Sequence, residues 1–335
     1  MKQLSTLFFL LIIFFSCSCG SDPKTVDATV QAKDTLEVCD SITIKNKNAT
    51  YISAYDKALT LWKIPFEEKD LTTSFGTAHV IECGPPNGKP LVLLHGMNAS
   101  STMWYPNIKS LSQQYRIYAI DFLLEPGKSC CQKKVSSTDE IVKWYYEIFD
   151  QLQLKTFNMV GASRGGWLAL NIALYSQTRI NKLVLLSPAQ TFIWIRPMPD
   201  IMENITYSIN PKRKHLRNVL KTMTSDVDNI EQLFIDQYYI ATEDADMMNK
   251  CILQMTPFSD EQLKSLKVPV LVLIGDNDII NNNKSLKQVR KLLPDVETEM
   301  IRNAGHFLSI DQKEIVNKRI IDFLNEGNNL SSKKR

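Results

Sequence analysis

Short runs of mainly apolar residues recur along the chain, and helical stretches separate most of them. Unbroken apolar runs, unlike alternating ones, are typical of strands that are covered on both faces of a sheet. The pattern predicts these strands: Asp70 to Phe75 and Ala78 to Glu82 as a hairpin around Gly76, then Leu91 to Leu94, Ile117 to Ile120, Phe157 to Val160, Leu183 to Leu186, Val268 to Ile274 and Glu297 to Ile301.

Amphipathic helical stretches lie between the strands, at about residues 107–114, 138–153, 164–176, 283–293 and 311–325. Strands that alternate with helices predict a mostly parallel sheet with right-handed crossovers. We therefore predict an α/β fold, with a central sheet of about eight strands flanked by helices. Apolar residues at helical spacing predict one further short helix from Tyr51 onward.

Residues 191–262 interrupt this alternation, because they contain helical patterns and no buried-strand run. A connection of about 70 residues needs structure of its own, so the sequence predicts an inserted helical cap. The cap is rich in methionine and aromatic residues. Most of these residues would pack between helices, and some would line an apolar substrate pocket. The sequence does not assign any single residue to that pocket.

The N-terminus has the pattern of a signal peptide: Lys2, the apolar run Leu7 to Phe15, and small residues up to Gly20. The run is shorter than the roughly 20 apolar residues that a spanning helix needs. Cys17 follows the run as in a bacterial lipoprotein signal. We therefore expect export with a lipid anchor on Cys17, and the alternatives are lipidation of Cys19 or secretion without a lipid.

These patterns divide the chain into a signal peptide, a tether, a core in two parts, a cap and a tail. The predicted bounds are 1–16 for the signal peptide, 17–50 for the tether, 51–190 and 263–328 for the core, 191–262 for the cap and 329–335 for the polar tail.

Composition narrows the class of protein. The 335 residues are 44% hydrophobic and 22% charged, which is ordinary for a globular protein. A net charge of +3 is too small to indicate a nucleic-acid-binding surface. The seven cysteines lack the spacing of a metal site, and we predict no metal or organic cofactor.

The segment Gly161 to Gly165 matches the motif G-x-S-x-G, with Ser163 at its centre. It follows a predicted strand and opens a predicted helix, which is the context of a nucleophile on a strained turn. The alternative is a glycine-rich helix start with Ser163 as an ordinary N-cap. The context favours Ser163 as a nucleophile, and a serine in that role needs a base.

Four histidines are candidates for this base. His306 lies after the last strand and before the last helix, where the chain order serine, acid, histidine requires it. His79 lies in the early hairpin, His95 ends a strand and would shape a loop, and His215 lies on a basic face of the cap. We therefore assign the base to His306.

The acid and the oxyanion hole are expected in the loops and turns at the ends of strands. Asp276 and Asp278 both follow the strand that ends at Ile274, and only one of them can orient the histidine. An oxyanion hole needs two backbone N–H groups. We expect these from Arg164, directly after the nucleophile, and from Met97, in the loop after His95.

Together these motifs resemble the α/β-hydrolase superfamily over about residues 65–325. The resemblance rests on His95-Gly96, Gly161 to Gly165, Gly275 to Asp278 and Gly305-His306. Two further segments, 125–129 and 185–189, resemble small bacterial carboxylesterase-type hydrolases. The resemblance implies an α/β-hydrolase fold, and it favours Asp278 as the acid because related hydrolases carry it three positions after the glycine. Asp276 would then form the turn.

The resemblance implies a serine hydrolase that cleaves a small carboxylic ester through an acyl-enzyme. The same residues could act on a thioester, lactone, amide or carbon–carbon bond, and a non-catalytic binding protein on this scaffold is the alternative of another class. Arg164 departs from the family pattern, in which a small, aromatic or amide residue often follows the nucleophile. We therefore expect a cation to line the pocket.

Overall fold

The computed structural model describes residues 49–243 and 255–326. Within them, nine strands form one sheet: β1 (Phe66–Thr73), β2 (Gly76–Cys83), β3 (Lys89–Leu94), β4 (Tyr115–Ile120), β5 (Cys130–Cys131), β6 (Phe157–Ala162), β7 (Ile180–Leu186), β8 (Val270–Gly275) and β9 (Val296–Ile301). The order is β1-β2-β4-β3-β6-β7-β8-β9, and β5 pairs with β2.

Only the pairings of β2, with β1, β4 and β5, are antiparallel; all others among the described strands are parallel. The predicted α/β fold with a mostly parallel sheet of about eight strands is confirmed. The sequence pattern does not predict β5, because two residues are too short to show a period.

The described part of the chain has eleven α-helices, most of them close to the predicted stretches. They are α1 (Ala49–Leu59), α2 (Ile108–Leu111), α3 (Thr138–Gln151), α4 (Arg164–Tyr175), α5 (Pro199–Ile209), α6 (Arg213–Met223), α7 (Gln232–Glu243), α8 (Asp260–Ser265), α9 (Asn283–Leu292), α10 (Leu308–Asp311) and α11 (Lys313–Asn325).

The central strands of the sheet, β3, β6, β7 and β8, are largely buried on both faces, as the unbroken apolar runs predict. On β3, Val92 and Leu94 belong to a core that includes side chains of α3, α4 and α9. Leu91 and Leu93 point to the opposite face and join a second core with side chains of α1 and α11. Burying each of these leucines contributes about 1.5–3 kcal/mol, so the layered arrangement holds the strand ends firmly in place.

The segment between β7 and β8 forms the cap, and its described residues include α5, α6 and α7. Tyr207, Leu216 and Phe234 belong to a small core of its own. This core packs against Met103 and Phe307, which lie in the loops that follow β3 and β9. The cap therefore rests on the loops that carry two parts of the predicted site.

Residues 1–48 lie outside the described residues, and so do the predicted signal peptide 1–16, Cys17 and most of the tether. The polar tail 329–335 also lies outside them. Among the helices described, none combines the length and the apolar character needed to cross a membrane.

Candidate active site

Ser163 lies on the sharp turn between β6 and α4. Its backbone has φ 51° and ψ −117°, which is a strained conformation for a residue with a side chain. The turn closes because glycines flank the serine: a Cβ atom on Gly161 would lie 2.3 Å from the Gly165 carbonyl oxygen, and one on Gly165 would lie 2.1 Å from the Leu94 carbonyl oxygen. Ser163 is thereby held at the N-terminus of α4, where the helix dipole favours negative charge.

His306 lies in the loop between β9 and α10, and the structure brings it to the predicted serine and acid. Its Nε2 atom is 2.9 Å from Ser163 Oγ, and its Nδ1 atom is 3.0 Å from Asp278 Oδ1. The His306 side chain is 1% exposed and the Asp278 side chain is fully buried. The three side chains form one hydrogen-bonded chain, with the histidine in the middle.

Backbone contacts hold the His306 loop on both sides of the imidazole. The Gly305 N–H donates to Asp311 Oδ2 at 2.7 Å. The Phe307 N–H donates to the carbonyl oxygen of Met223, at the end of α6, at 2.8 Å. The position of the imidazole therefore depends on the cap as well as on the sheet.

Asp278 is the aspartate that reaches the histidine. Burial by itself would raise its pKa, but the charge and hydrogen bond of His306, with hydrogen bonds from the Ile280 N–H and the Asn281 amide, outweigh burial and lower the pKa. Asp276 instead accepts the Ala304 N–H at 3.1 Å. It therefore links the turn after β8 to the loop after β9, in keeping with the turn-forming role that the resemblance implies.

The other three histidines lie elsewhere. Both ring nitrogens of His79 contact carboxylates, Asp70 Oδ1 at 2.7 Å and Glu68 Oε2 at 3.0 Å. His95 Nε2 accepts the Phe122 N–H at 2.8 Å and its Nδ1 contacts a carbonyl oxygen, so it shapes the loop after β3 as predicted. His215 is exposed on α6.

The two backbone N–H groups predicted for an oxyanion hole belong to Met97, in the loop after β3, and Arg164, the first residue of α4. Gly96, which precedes Met97, lies against Ser163: a Cβ atom on it would lie 3.3 Å from Ser163 Cβ. Among residues 49–243 and 255–326, neither N–H donates to a protein acceptor. Both are thus available to a ligand.

The sequence predicts that the Arg164 cation lines the pocket, and the structure pairs this cation with an acid. The Arg164 side chain is 3% exposed and forms an ion pair with Glu125, whose side chain is fully buried. A buried guanidinium requires a partner because an unpaired charge is costly to desolvate. Glu125 begins the segment 125–129 that carries part of the resemblance, but sequence reasoning missed its pairing with Arg164; the available signal was an arginine at a buried helix start, which calls for a nearby acid.

Gln237 on α7 is a second residue that the sequence did not reveal. Its side chain accepts from Thr102 Oγ1 at 2.6 Å and donates to Ser100 Oγ at 2.9 Å and to the Tyr51 hydroxyl at 3.3 Å. The side chain is buried, and its partners lie in the loop after β3 and on α1. The cap is thus linked to the loop that carries Met97.

Comparison with known proteins agrees with this architecture. Residues 89–210 and 206–313 match the model of the alpha/beta hydrolase fold family. The carboxylesterase nap of Bacillus subtilis is 32% identical over 294 residues, which cover 86% of this chain and 96% of that protein. The carboxylesterase YbfK of the same organism is 33% identical over 281 residues, which cover 82% and 93%.

Solved structures give the same result. The crystal structure of the Bacillus subtilis naproxen esterase superposes with a TM-score of 0.75, at 32% identity, over 82% of this chain and 97% of that one. The structure of the Bacillus subtilis carboxylesterase CesB (YbfK) superposes with a TM-score of 0.74, at 33% identity, over 83% and 98%. The family model and these relatives establish that the chain belongs to the α/β-hydrolase family.

Proposed function

We propose that this protein is a serine carboxylesterase in which Ser163, His306 and Asp278 form the catalytic triad. The observation that carries the proposal is the hydrogen-bonded chain from Ser163 Oγ through the imidazole to the Asp278 carboxylate, with contacts of 2.9 and 3.0 Å. The carboxylesterase relatives, which match most of the chain, support hydrolysis of an ester bond.

In this mechanism, Ser163 Oγ attacks the ester carbonyl carbon while His306 Nε2 accepts the hydroxyl proton. Asp278 stabilises the imidazolium that forms, and the N–H groups of Met97 and Arg164 hold the developing oxyanion. His306 then gives the proton to the departing alcohol, which leaves an acyl group on Ser163. A water molecule, deprotonated by His306, releases the carboxylic acid and restores the serine.

The test compares Ser163→Ala with a matched control, Ser265→Ala, which removes an exposed hydroxyl that bonds only within its own segment. We expect Ser163→Ala to abolish cleavage of short p-nitrophenyl esters and labelling by a fluorophosphonate probe, and Ser265→Ala to retain both. Cleavage by Ser163→Ala at the wild-type rate would contradict the proposal. An unlabelled, inactive wild-type protein would favour a binding role.

The bond type is tested with matched acyl donors that differ only in the leaving group. We expect an ester to be cleaved with a higher kcat/KM than the corresponding thioester or amide, because two relatives that match most of the chain are carboxylesterases. A higher kcat/KM for the thioester or the amide would assign the same triad to that bond instead.

We further propose that the protein is exported and anchored by a lipid on Cys17. The apolar run Leu7 to Phe15 and the cysteine behind it support this assignment. Intact-mass analysis of protein extracted from bacterial membranes should reveal an acyl mass in the wild type and in Cys19→Ser. That mass should be absent from Cys17→Ser, and its absence from the wild type would contradict anchoring.

A further inference from the structure

We infer that Glu125 is a positioning residue that joins the two arms of the oxyanion hole. The inference rests on the proposed serine esterase function, because it concerns the N–H groups of Met97 and Arg164. One carboxylate contacts both arms: one oxygen accepts from the Arg164 side chain, and the other accepts from the Asn98 backbone.

The two carboxylate oxygens of Glu125 contact different segments of the chain. Glu125 lies in the turn after β4, where its own N–H donates to the Phe122 carbonyl oxygen at 3.1 Å. Its Oε1 atom accepts from Arg164 Nη1, and its Oε2 atom accepts the Asn98 N–H at 2.9 Å. The turn is therefore linked both to the first residue of α4 and to the loop after β3.

The Asn98 contact bears directly on Met97, because the Asn98 N–H belongs to the peptide group that joins the two residues. Asn98 has a φ of 59°, a left-handed conformation that a residue with a side chain adopts at a cost. The hydrogen bond to Glu125 stabilises this conformation. It thereby fixes the direction of the backbone that carries the Met97 N–H.

The Arg164 contact acts on the other arm. Arg164 supplies its N–H from the first turn of α4, and its buried side chain leads away from the backbone to Glu125. A glutamate serves both contacts because its two oxygens both accept. A glutamine has one acceptor oxygen, and its amide N–H groups would face a donor at the other contact.

Glu125→Gln tests this role, since it keeps the shape and removes one acceptor. We expect kcat on a short p-nitrophenyl ester to fall about 10- to 100-fold, less than the roughly 10²- to 10³-fold cost of losing an oxyanion donor. KM should change by less than about threefold, because the oxyanion forms only in the transition state. Affinity for a boronic acid inhibitor, which forms a tetrahedral adduct with the serine, should fall by the same factor as kcat/KM.

The matched control is Glu82→Gln. Glu82 has a buried carboxylate paired with Arg116, but it lies on β2 opposite Tyr118, away from the strand ends that carry the site. We expect this control to lose thermal stability and to keep its kcat within about twofold. If Glu125→Gln also loses only stability, with kcat and boronic acid affinity at wild-type values, the inference is overturned.

A second variant covers the case in which Glu125→Gln does not fold. Glu125→Gln combined with Arg164→Met leaves no unpaired buried charge, and it should fold while kcat stays reduced. Wild-type kcat in this double variant would overturn the inference. Failure of the proposed function is recognised separately, because either Ser163→Ala would then remain active or the wild type itself would be inactive and unlabelled.

Discussion

The imidazole Nε2 of His306 lies 2.9 Å from Ser163 Oγ, although 143 residues separate them in the chain. The two residues follow β9 and β6, which run parallel in one sheet, so their loops emerge at the same edge. Asp278 emerges at this edge too, after β8. The positions of these side chains therefore follow from the sheet.

Replacing the base should abolish catalysis without unfolding the protein. His306→Ala removes the group that accepts the Ser163 proton, and we expect kcat to fall at least about 10³-fold. Steady-state hydrolysis of a p-nitrophenyl ester measures the effect. His215→Ala, on the exposed face of α6, is the control and should change kcat by no more than about twofold. Equal losses in both variants would argue against His306 as the base.

Substitutions at the two neighbouring aspartates should differ sharply in their effect on kcat. Asp278→Asn keeps the shape but removes the charge that stabilises the imidazolium, and we expect kcat to fall about 10³- to 10⁴-fold. Asp276→Asn retains an oxygen that can accept the Ala304 N–H, so kcat should stay within about tenfold. If Asp276→Asn is the more damaging variant in the same assay, the acid is Asp276 instead.

Asp278 should also stabilise the fold in a pH-dependent way. The pKa of Asp278 is lowered in the folded protein. The ionised carboxylate therefore stabilises the fold at pH values above the ordinary aspartate pKa of about 3.9. This stabilisation is lost as the pH falls through the lower pKa of the folded state. Urea unfolding measures this contribution as the difference in unfolding free energy between wild type and Asp278→Asn. We expect this difference to shrink as the pH falls below about 4, where the Asp278 carboxylate becomes protonated. A difference that does not shrink below about pH 4 would contradict a lowered pKa.

The link between cap and core should contribute measurable stability. Gln237→Leu removes the buried hydrogen bonds to Thr102 and Ser100, whose hydroxyls then keep their 3.0 Å contact with each other, and we expect the free energy of unfolding to fall by about 1–3 kcal/mol. Gln232→Leu, at an exposed position of the same helix, should change it by less than about 0.5 kcal/mol. An unchanged value for Gln237→Leu would show that the contact is not needed to hold the cap.

Much of the site could be predicted because local rules govern it. The turn at Ser163 needs glycines because a strand meets a helix there at close range. A carboxylate or histidine at the end of a strand can be recognised from the apolar run that precedes it. The choice of His306 followed from chain order and from the small number of histidines. The choice of Asp278 over Asp276 needed the family resemblance, because spacing on one turn does not show which side chain points inward.

Contacts between distant segments could not be predicted in this way. The sequence predicts a cation at Arg164 along the pocket, but it does not reveal that Glu125, 39 residues earlier, pairs with it. Gln237 gave no sequence signal, because a glutamine on a helix is ordinarily exposed and its partners lie 135, 137 and 186 residues away. Sequence periodicity reveals neither contact, because each contact involves only a single side chain of its segment.

The sequence by itself determined the alternation of strands and helices, the turn that presents Ser163 and the chain order of Ser163, the two aspartates and His306. These features depend on the period of buried positions and on backbone geometry within a few residues. Only the tertiary structure decided that Asp278 reaches His306, that Glu125 neutralises Arg164 and that Gln237 ties the cap to the loop of Met97. These depend on where packing places separate segments, because burial makes each polar group pair with whichever partner lies within reach.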